Sequence, residues 1–452
     1  MKKEIYDAII IGFGKGGKTL AGKLAKQGER VALVEKDPKM YGGTCINVGC
    51  IPSKSLITSA QRAGKFAREN ETAAYYKESV IKKRKLTSML RKKNYDKLAS
   101  DPNITIYNGT AQFAGAHEIK VITEEEPLVL TAKHIFINTG SVPWIPPIEG
   151  IQSTAGVYTS AGLMDLETLP KKLVIIGGGY IGLEFASMYS GFGSKVTVLQ
   201  DGERFLPKED EDIAAEIRQI LEGQGIEFYL NAKIKKIEKG PAVVFDWSGQ
   251  EGRLEADAVL VATGRIPNTV GLHCEAAGVE LTSRDAIKVD ENLKTTASGI
   301  WAVGDVTGGL QHTYISLDDS RVVWSQLYGE KAYTTEKRKN VPYSVFLSTP
   351  YSRVGLNEQE ARSAGYQVKI AKLPVAAVPK AQVLEAAKGL LKAVIDEGTG
   401  KILGAMLLCE ESFEMINIVK LAMDLNADYT VLRDQIYTHP TMSEAFNDLF
   451  SI

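Results

Sequence analysis

The strongest constraint on this chain is a pattern that occurs twice. Tyr6-Asp7-Ala8-Ile9-Ile10-Ile11 reads as a buried strand and runs directly into Gly12-Phe13-Gly14-Lys15-Gly16-Gly17. A helical stretch over residues 18–27 and a second strand over residues 30–34 follow, ending at Glu35. Further on, Leu173-Val174-Ile175-Ile176 leads into Gly177-Gly178-Gly179-Tyr180-Ile181-Gly182, then a helix over residues 183–192 and a strand over residues 195–199, ending at Gln200. Alone, a glycine pattern of this kind is weak; between a strand and a helix it becomes a dinucleotide fingerprint. The first glycine allows the tight turn, the second lets a pyrophosphate approach the backbone, and the third lets helix pack on sheet. The helix N-terminus then receives the phosphates. Glu35 is placed to accept from a ribose hydroxyl. Gln200 holds the equivalent place in the second copy. It can hydrogen-bond a ribose but repels no 2′-phosphate, so NADH and NADPH both stay open, with Arg204 a candidate to assist a phosphate. Two copies imply two dinucleotides.

Between the copies lies Gly42-Gly43-Thr44-Cys45-Ile46-Asn47-Val48-Gly49-Cys50-Ile51-Pro52-Ser53-Lys54, with two of the chain's 4 cysteines. Metal sites usually space paired cysteines more closely and supply a second pair, which is lacking here. A reversible dithiol/disulfide fits better than two unrelated small thiols. Pro52 suits the first turn of a helix, and the positive end of that helix favours thiolate at Cys50. A regular helix would hold the two Cα atoms roughly 8–9 Å apart, whereas a disulfide needs less than about 7 Å. The backbone must therefore break, which Gly49 makes cheap. Cys274 and Cys409 are isolated and read as small hydrophobes.

Composition narrows the function classes. A net charge of -1 over 452 residues implies neither nucleic acid nor an acidic membrane as partner. The apolar run at residues 9–11 follows Glu4 and Asp7 and stops at Gly12, so it is no leader, and no stretch is apolar enough to span a membrane. Sparse cysteines fit a reducing cytoplasm, where a disulfide is catalytic or redox-sensing.

Long helices are expected over residues 53–69 and 73–99, the second with Lys82-Lys83-Arg84-Lys85 and Arg91-Lys92-Lys93 as a solvated face. Short antiparallel strands are expected at residues 104–107, 111–113, 118–123 and 128–131, a buried strand at residues 135–140, and a linker at residues 141–147. Residues 258–265 echo residues 135–140. Asp305 ends the strand Trp301-Ala302-Val303-Gly304, where a carboxylate can take sugar-like hydroxyls or simply cap a loop. From about Val341 the glycine fingerprints cease, and strands at residues 343–346, 369–374, 390–396 and 402–408 with a helix at residues 413–425 read as a separate α+β domain. In the tail, His439-Pro440-Thr441-Met442-Ser443-Glu444 places a histidine near a carboxylate able to orient its ring for proton transfer.

Together, the cysteine stretch, the two fingerprints, Ala302-Val303-Gly304-Asp305 and His439–Glu444 resemble the pyridine nucleotide–disulfide oxidoreductases, the family of glutathione reductase, lipoamide dehydrogenase and mercuric reductase. The resemblance covers essentially the whole chain. It implies an α/β fold of two Rossmann-like dinucleotide-binding domains plus a C-terminal α+β dimerisation domain. The FAD-binding domain would comprise residues 1–145 and 269–337, the NAD(P)-binding domain residues 146–268, and the dimerisation domain residues 338–452. It implies FAD on Gly12, Gly14, Gly17, Glu35, Gly43, Thr44, Lys54, Gly140, Gly304 and Asp305. NADH or NADPH would lie on Gly177, Gly179, Tyr180, Gly182, Gln200 and Gly264. By the same resemblance Cys45 is the interchange thiol that meets substrate and Cys50 the charge-transfer thiol beside the flavin. Lys54 and Glu184 match the pair near the flavin N5, and Tyr180 the aromatic that gates the nicotinamide. His439 and Glu444 match the acid–base pair, which in a homodimer reaches the other subunit's cysteines.

Several further runs resemble a bacterial subgroup linked to reactive-chlorine resistance and described as copper(II)-reducing: Gly12-Phe13-Gly14-Lys15, Met40-Tyr41-Gly42-Gly43-Thr44, Gly304-Asp305-Val306-Thr307-Gly308-Gly309-Leu310-Gln311, Tyr314-Ile315-Ser316-Leu317-Asp318-Asp319 and Leu432-Arg433-Asp434-Gln435-Ile436. The end at Ser451-Ile452, without a cysteine pair, sets the chain apart from mercuric reductase. The expected acceptor is an oxidised metal ion such as Cu(II), with Cys45 and Cys50 the candidate metal ligands, in defence against oxidants. The alternatives are a dihydrolipoamide dehydrogenase, or other disulfide reductase, and a redox-sensing module without turnover.

Overall fold

The computed structural model describes residues 2–63 and 69–452. They divide into two compact units, one of Met1–Ser55, Ser79–Trp144 and Gly264–Arg338, the other of Leu56–Glu78, Ile145–Thr263 and Lys339–Ile452. Among the described residues no helix is long and apolar enough to cross a membrane.

The first unit is built on a 7-stranded sheet ordered Ile104–Asn108, Val31–Glu35, Lys2–Ile11, Leu128–Ile137, Glu118–Ile122 and Thr110–Gly115, with Ile300–Ala302 also paired to Leu128–Ile137. The period of two decides its cores: Ala8 and Ile10 face one cluster with Leu20, Leu24 and Phe136, while Ile9 and Ile11 face another with Val34, Ile135 and Ile137. Burial on both faces explains the continuous apolar run at the end of the strand. The helix Lys15–Lys26 buries Leu20, Ala21, Leu24 and Ala25, the stripe expected from a period of 3.6.

Residues 128–131 and 135–140 were expected as separate strands, but Leu128–Ile137 is one strand. Its whole length pairs parallel with Lys2–Ile11, while its other edge serves two neighbours, Glu118–Ile122 antiparallel and then Ile300–Ala302 parallel. The expected linker also carries order: Ser141–Pro143 pairs antiparallel with Arg265–Pro267, so two stretches far apart in sequence tie each other.

The first long helix, Cys50–Ala63, starts at the cysteine itself, and residues 64–68 of the expected helix lie outside the described residues. The second, Glu69–Ala99, is not solvated throughout its charged face: Lys82, Lys85, Lys92 and Lys93 are exposed, but Lys83 is buried and Arg91 half-buried.

In the second unit a 5-stranded parallel sheet is ordered Glu227–Tyr229, Lys195–Leu199, Lys172–Ile176, Ala258–Val261 and Val157–Tyr158, and a 3-stranded antiparallel sheet runs Lys233–Glu238, Ala242–Trp247, Gln250–Glu255. A further 5-stranded antiparallel sheet contains Tyr343–Val345, Tyr351–Gly355, Ile402–Leu408, Leu390–Asp396 and Val368–Pro374, with the helix Ser412–Asp424 packed on it. Leu421, Leu425, Val431 and Ile436 are exposed on this C-terminal part.

Candidate active site

In the first unit, Gly12 has φ +101°, and a Cβ there would lie 2.4 Å from the carbonyl oxygen of Asn138. Only glycine fits such a turn. A Cβ on Gly14 would lie 2.5 Å from Asn138 Oδ1, and one on Gly43 would lie 2.8 Å from Gly14 Cα. The fingerprint and the redox stretch are thus in backbone contact. Glu35 Oε2 accepts from the Phe13 amide at 2.9 Å, and burial pushes its carboxyl upward against that bond.

The surrounding latch was not legible in the sequence. Asn138 Oδ1 accepts from the Gly17 amide (2.9 Å) while its Nδ2 donates to Val303 O (2.8 Å). Ser316 Oγ accepts from the Gly16 amide (3.0 Å), and Asp319 Oδ2 from the Gly304 amide (2.7 Å). Asp305 Oδ2 accepts from the Ser141 hydroxyl (2.7 Å), which in turn accepts from Arg265 Nε (2.9 Å). Thr139 Oγ1 is buried without a hydrogen-bond partner among the described residues. The orphaned hydroxyl, the side-chain-free cradle and the helix start at Lys15 fit a dinucleotide held at this end of the sheet.

The redox stretch breaks as its spacing demands. A short helix Thr44–Asn47 ends at Val48, and the helix Cys50–Ala63 then begins. A Cβ on Gly49 would come within 3.0 Å of Thr44 O and 3.4 Å of Cys45 Cα, so the chain folds back on itself there. Cys45 is half-buried and Cys50 exposed, and neither is in a disulfide. Thr313 Oγ1 lies 3.8 Å from Cys50 Sγ. The hydrogen bond from Cys50 brings the Cys45 thiol down to about 6, helped by Thr313, Lys18 and Lys54 against the cost of burial. Cys50, left as the donor, is pushed up. Lys54 follows one turn after Cys50 on the same helix.

In the second unit the other fingerprint repeats the first turn. Gly177 has φ +110°, and a Cβ there would lie 2.4 Å from Ala262 O. A Cβ on Gly182 would lie 2.0 Å from Gly177 O, whereas one on Gly179 would meet nothing within 4 Å among the described residues. Gln200 Oε1 accepts from the Gly178 amide at 2.7 Å, the bond Glu35 makes in the first copy. Arg204 is exposed in the loop that follows. Tyr180 opens the helix Tyr180–Gly191 and donates its hydroxyl to Glu209. Buried Glu209 also accepts from Tyr343, Tyr351 and, at 3.3 Å, from Arg353. Glu184 is buried and accepts from the Phe346 amide at 2.9 Å. His439 Nδ1 is 2.8 Å from Glu444 Oε2, and Glu444 Oε1 accepts from the Thr441 amide at 3.2 Å. With its Nδ1 side tied, the His439 side chain is still 72% exposed, so the ring is presented outward. Cys45, Cys50, Lys54, Gly140, Gly264 and Asp305 thus belong to the first unit, and Tyr180, Glu184, His439 and Glu444 to the second.

The family described as "Pyridine nucleotide-disulphide oxidoreductase" matches residues 6–320, and its "dimerisation domain" matches residues 341–450. The chain belongs to this family of oxidoreductases, which use FAD and NAD(P)H, and it carries the family's dimerisation domain.

Among individual proteins, it is 51% identical over 447 residues to the "Probable pyridine nucleotide-disulfide oxidoreductase RclA" of Escherichia coli (strain K12), covering 99% of each chain. It is 33% identical over 450 residues to a mercuric reductase of Staphylococcus aureus, covering 97% of this chain and 81% of that one. A solved structure, the "Cu(II) complex of HOCl-induced flavoprotein disulfide reductase RclA from Escherichia coli", matches with a TM-score of 0.94 at 50% identity, covering 99% of both chains.

Proposed function

We propose that this protein is a homodimeric, NAD(P)H-dependent flavoenzyme that reduces Cu(II) through a Cys45–Cys50 disulfide, in defence against reactive chlorine oxidants. Its layout on this reading is FAD on residues 1–145 and 269–337, NAD(P)H on residues 146–268, and the subunit interface on residues 338–452. Bound FAD, held on Gly12, Gly14, Gly17, Glu35 and Asp305, would supply the hydride acceptor for NAD(P)H and the electron pair for the disulfide. That pair cleaves the Cys45–Cys50 bond, leaving one thiolate and, with one proton taken up, one thiol. Two Cu(II) ions then take one electron each; the S–S bond re-forms and the proton leaves. His439, oriented by Glu444, carries that proton, reaching the cysteines of the partner subunit. The exposed ring and the apolar side chains Leu421, Leu425 and Ile436 support the dimer.

The observation that carries the reading is the cysteine pair brought together where the helix breaks: the chain folds back at Gly49, whose would-be Cβ lies 3.4 Å from Cys45 Cα, and Cys50 opens the next helix. Support for copper comes from the 50% identical neighbour solved as a Cu(II) complex. The test is steady-state oxidation of NADH and of NADPH with Cu(II) and, side by side, turnover of dihydrolipoamide. Cu(II)-dependent turnover is expected, with Cys45→Ser abolishing it and His439→Ala slowing it about a hundredfold. Turnover of dihydrolipoamide alone, or copper reduction untouched by Cys45→Ser, overturns the reading. Reduction by NADH that leaves the thiols oxidised would sink the relay and favour a switch.

The acidity of Cys45 has its own sign. A thiol near 6 is thiolate above that pH and loses it as pH falls through 6. Alkylation of the reduced protein by iodoacetamide should therefore plateau above pH 7 and fall about tenfold per unit below pH 6. A midpoint near the ordinary thiol value would show that Cys45 receives no such help.

A further inference from the structure

The helix Glu69–Ala99 presents Arg91, Asn94 and Tyr95 at helical neighbour spacing, and all three meet the segment leading into the cysteines. Arg91 Nε donates to Asn47 Oδ1 at 2.8 Å. The Asn47 amide in turn donates Nδ2 to Tyr41 O at 3.0 Å and to Gly43 O at 2.9 Å. Lys18 Nζ donates to Gly42 O at 3.1 Å and to Asn94 Oδ1 at 2.7 Å. Tyr95 stacks on Tyr41 with ring centroids 4.8 Å apart. Three consecutive carbonyls, those of Tyr41, Gly42 and Gly43, are thereby each taken by a side-chain donor.

None of these bonds involves a sulfur, yet all fall beside two glycines at positive φ and the break before Cys50. Gly42 and Gly43 have φ +95° and +85°, and the helix breaks between Asn47 and Cys50. If the Cys45–Cys50 bond opens in every turnover, the covalent tie across this stretch disappears each time. A loop free to relax would carry the thiols apart and lower their effective concentration. Charged donors on carbonyl and amide oxygens are the stronger hydrogen bonds available for resisting that.

We propose that Arg91 and Lys18 are positioning residues: through Asn47 and Asn94 they hold the redox turn at disulfide-bonding geometry while the S–S bond is open, and so set the potential of the pair. This rests on the reading of Cys45 and Cys50 as a reversible disulfide. The pair's stability as a disulfide then depends on a helix that contributes nothing to the sulfurs themselves.

The test equilibrates the FAD-loaded protein with glutathione buffers at fixed pH and quantifies the Cys45–Cys50 disulfide by mass spectrometry after alkylation. Arg91→Gln should lower the dithiol's effective concentration about tenfold, raising the potential by about 30 mV; Lys18→Met, which also strips a charge that favours the Cys45 thiolate, should raise it by less. Lys92→Gln, on the exposed side of the same helix, should leave it unchanged. Arg91→Gln added to Asn47→Ala should have little further effect, since the two act as one unit. Global destabilisation alone does not move this equilibrium. If Arg91→Gln fails to fold, Arg91→Lys carries the same measurement. Wild-type potentials in Arg91→Gln and Lys18→Met overturn the proposal. A wild-type protein that forms no Cys45–Cys50 disulfide in any buffer overturns the functional reading first, before any variant is made.

Discussion

The two fingerprints share a backbone and differ in what encloses it. Gly12 and Gly177 stand in the same relation to the strand beside them, each with a would-be Cβ 2.4 Å from a carbonyl, that of Asn138 or of Ala262. The divergence is in those two side chains. Asn138 reaches back over the turn, bonds the Gly17 amide and the Val303 carbonyl, and fills the space beside Gly14. Ala262 does none of this, and the space beside Gly179 is open. One site is latched to the strand Ile300–Ala302 and its continuation; the other is left accessible. A latched site suits a group that stays and an open one suits a group that exchanges, which is consistent with the proposed layout of a flavin on the first fingerprint and a nicotinamide on the second.

The comparison can be broken most severely where the copies agree. Gly12→Ala and Gly177→Ala each drive a Cβ into a carbonyl at positive φ, and both should cost about 3 kcal/mol or more in urea melts. A clear inequality would mean that the turns are not equivalent. Asn138→Ala, which gives the first site the residue found in the second, should cost about 2 kcal/mol by stranding the Gly17 amide and the Val303 carbonyl, and should speed flavin release followed by fluorescence. Gln200→Glu restores the acid of the first copy and should disfavour NADPH against NADH about tenfold in kcat/KM, a change of about 1.4 kcal/mol. Gly179→Ala should be the mildest for the fold: melting within about 0.5 kcal/mol of wild type, with only the nicotinamide KM raised. Gly14→Ala, the matching change in the first copy, should destabilise measurably because Asn138 Oδ1 stands 2.5 Å from the new methyl.

What the sequence revealed follows from how far each arrangement reaches along the chain. The glycine turns, the cysteine stretch and the His439–Glu444 pair are short contiguous patterns, and their local bonds span five residues or so. The equivalent places of Glu35 and Gln200 were legible because a strand–helix–strand unit fixes their spacing, but their bonds to the Phe13 and Gly178 amides were not. Asn138 was not, since its partners Gly17 and Val303 lie 121 and 165 residues away. Glu209, collecting Tyr180, Tyr343 and Tyr351, is likewise visible only once the chain is folded. Arg91 was hidden for another reason: it stands in a basic run that reads as solvated, and only the turn of the helix separates it from exposed Lys92 and Lys93. The supposed linker at residues 141–147 misled because prolines mark irregular chain without showing that part of it pairs with a distant segment.

The long strand Leu128–Ile137 has a consequence for the order in which the protein is made. Its edge is completed by Ile300–Ala302, and Gly304 acquires its acceptor only with Asp319. Of the two fingerprint sheets, the one whose fingerprint leaves the ribosome first is therefore the later to finish, while the second fingerprint's parallel sheet is complete at Val261. Until residue 302 emerges, the Ile135–Ile137 stretch of one edge of Leu128–Ile137 lies open to any strand that finds it. A ribosome stalled in the middle of this message would thus release a chain with the second fingerprint's parallel sheet complete and the first fingerprint's sheet unclosed, and on the proposed layout flavin capture would come late.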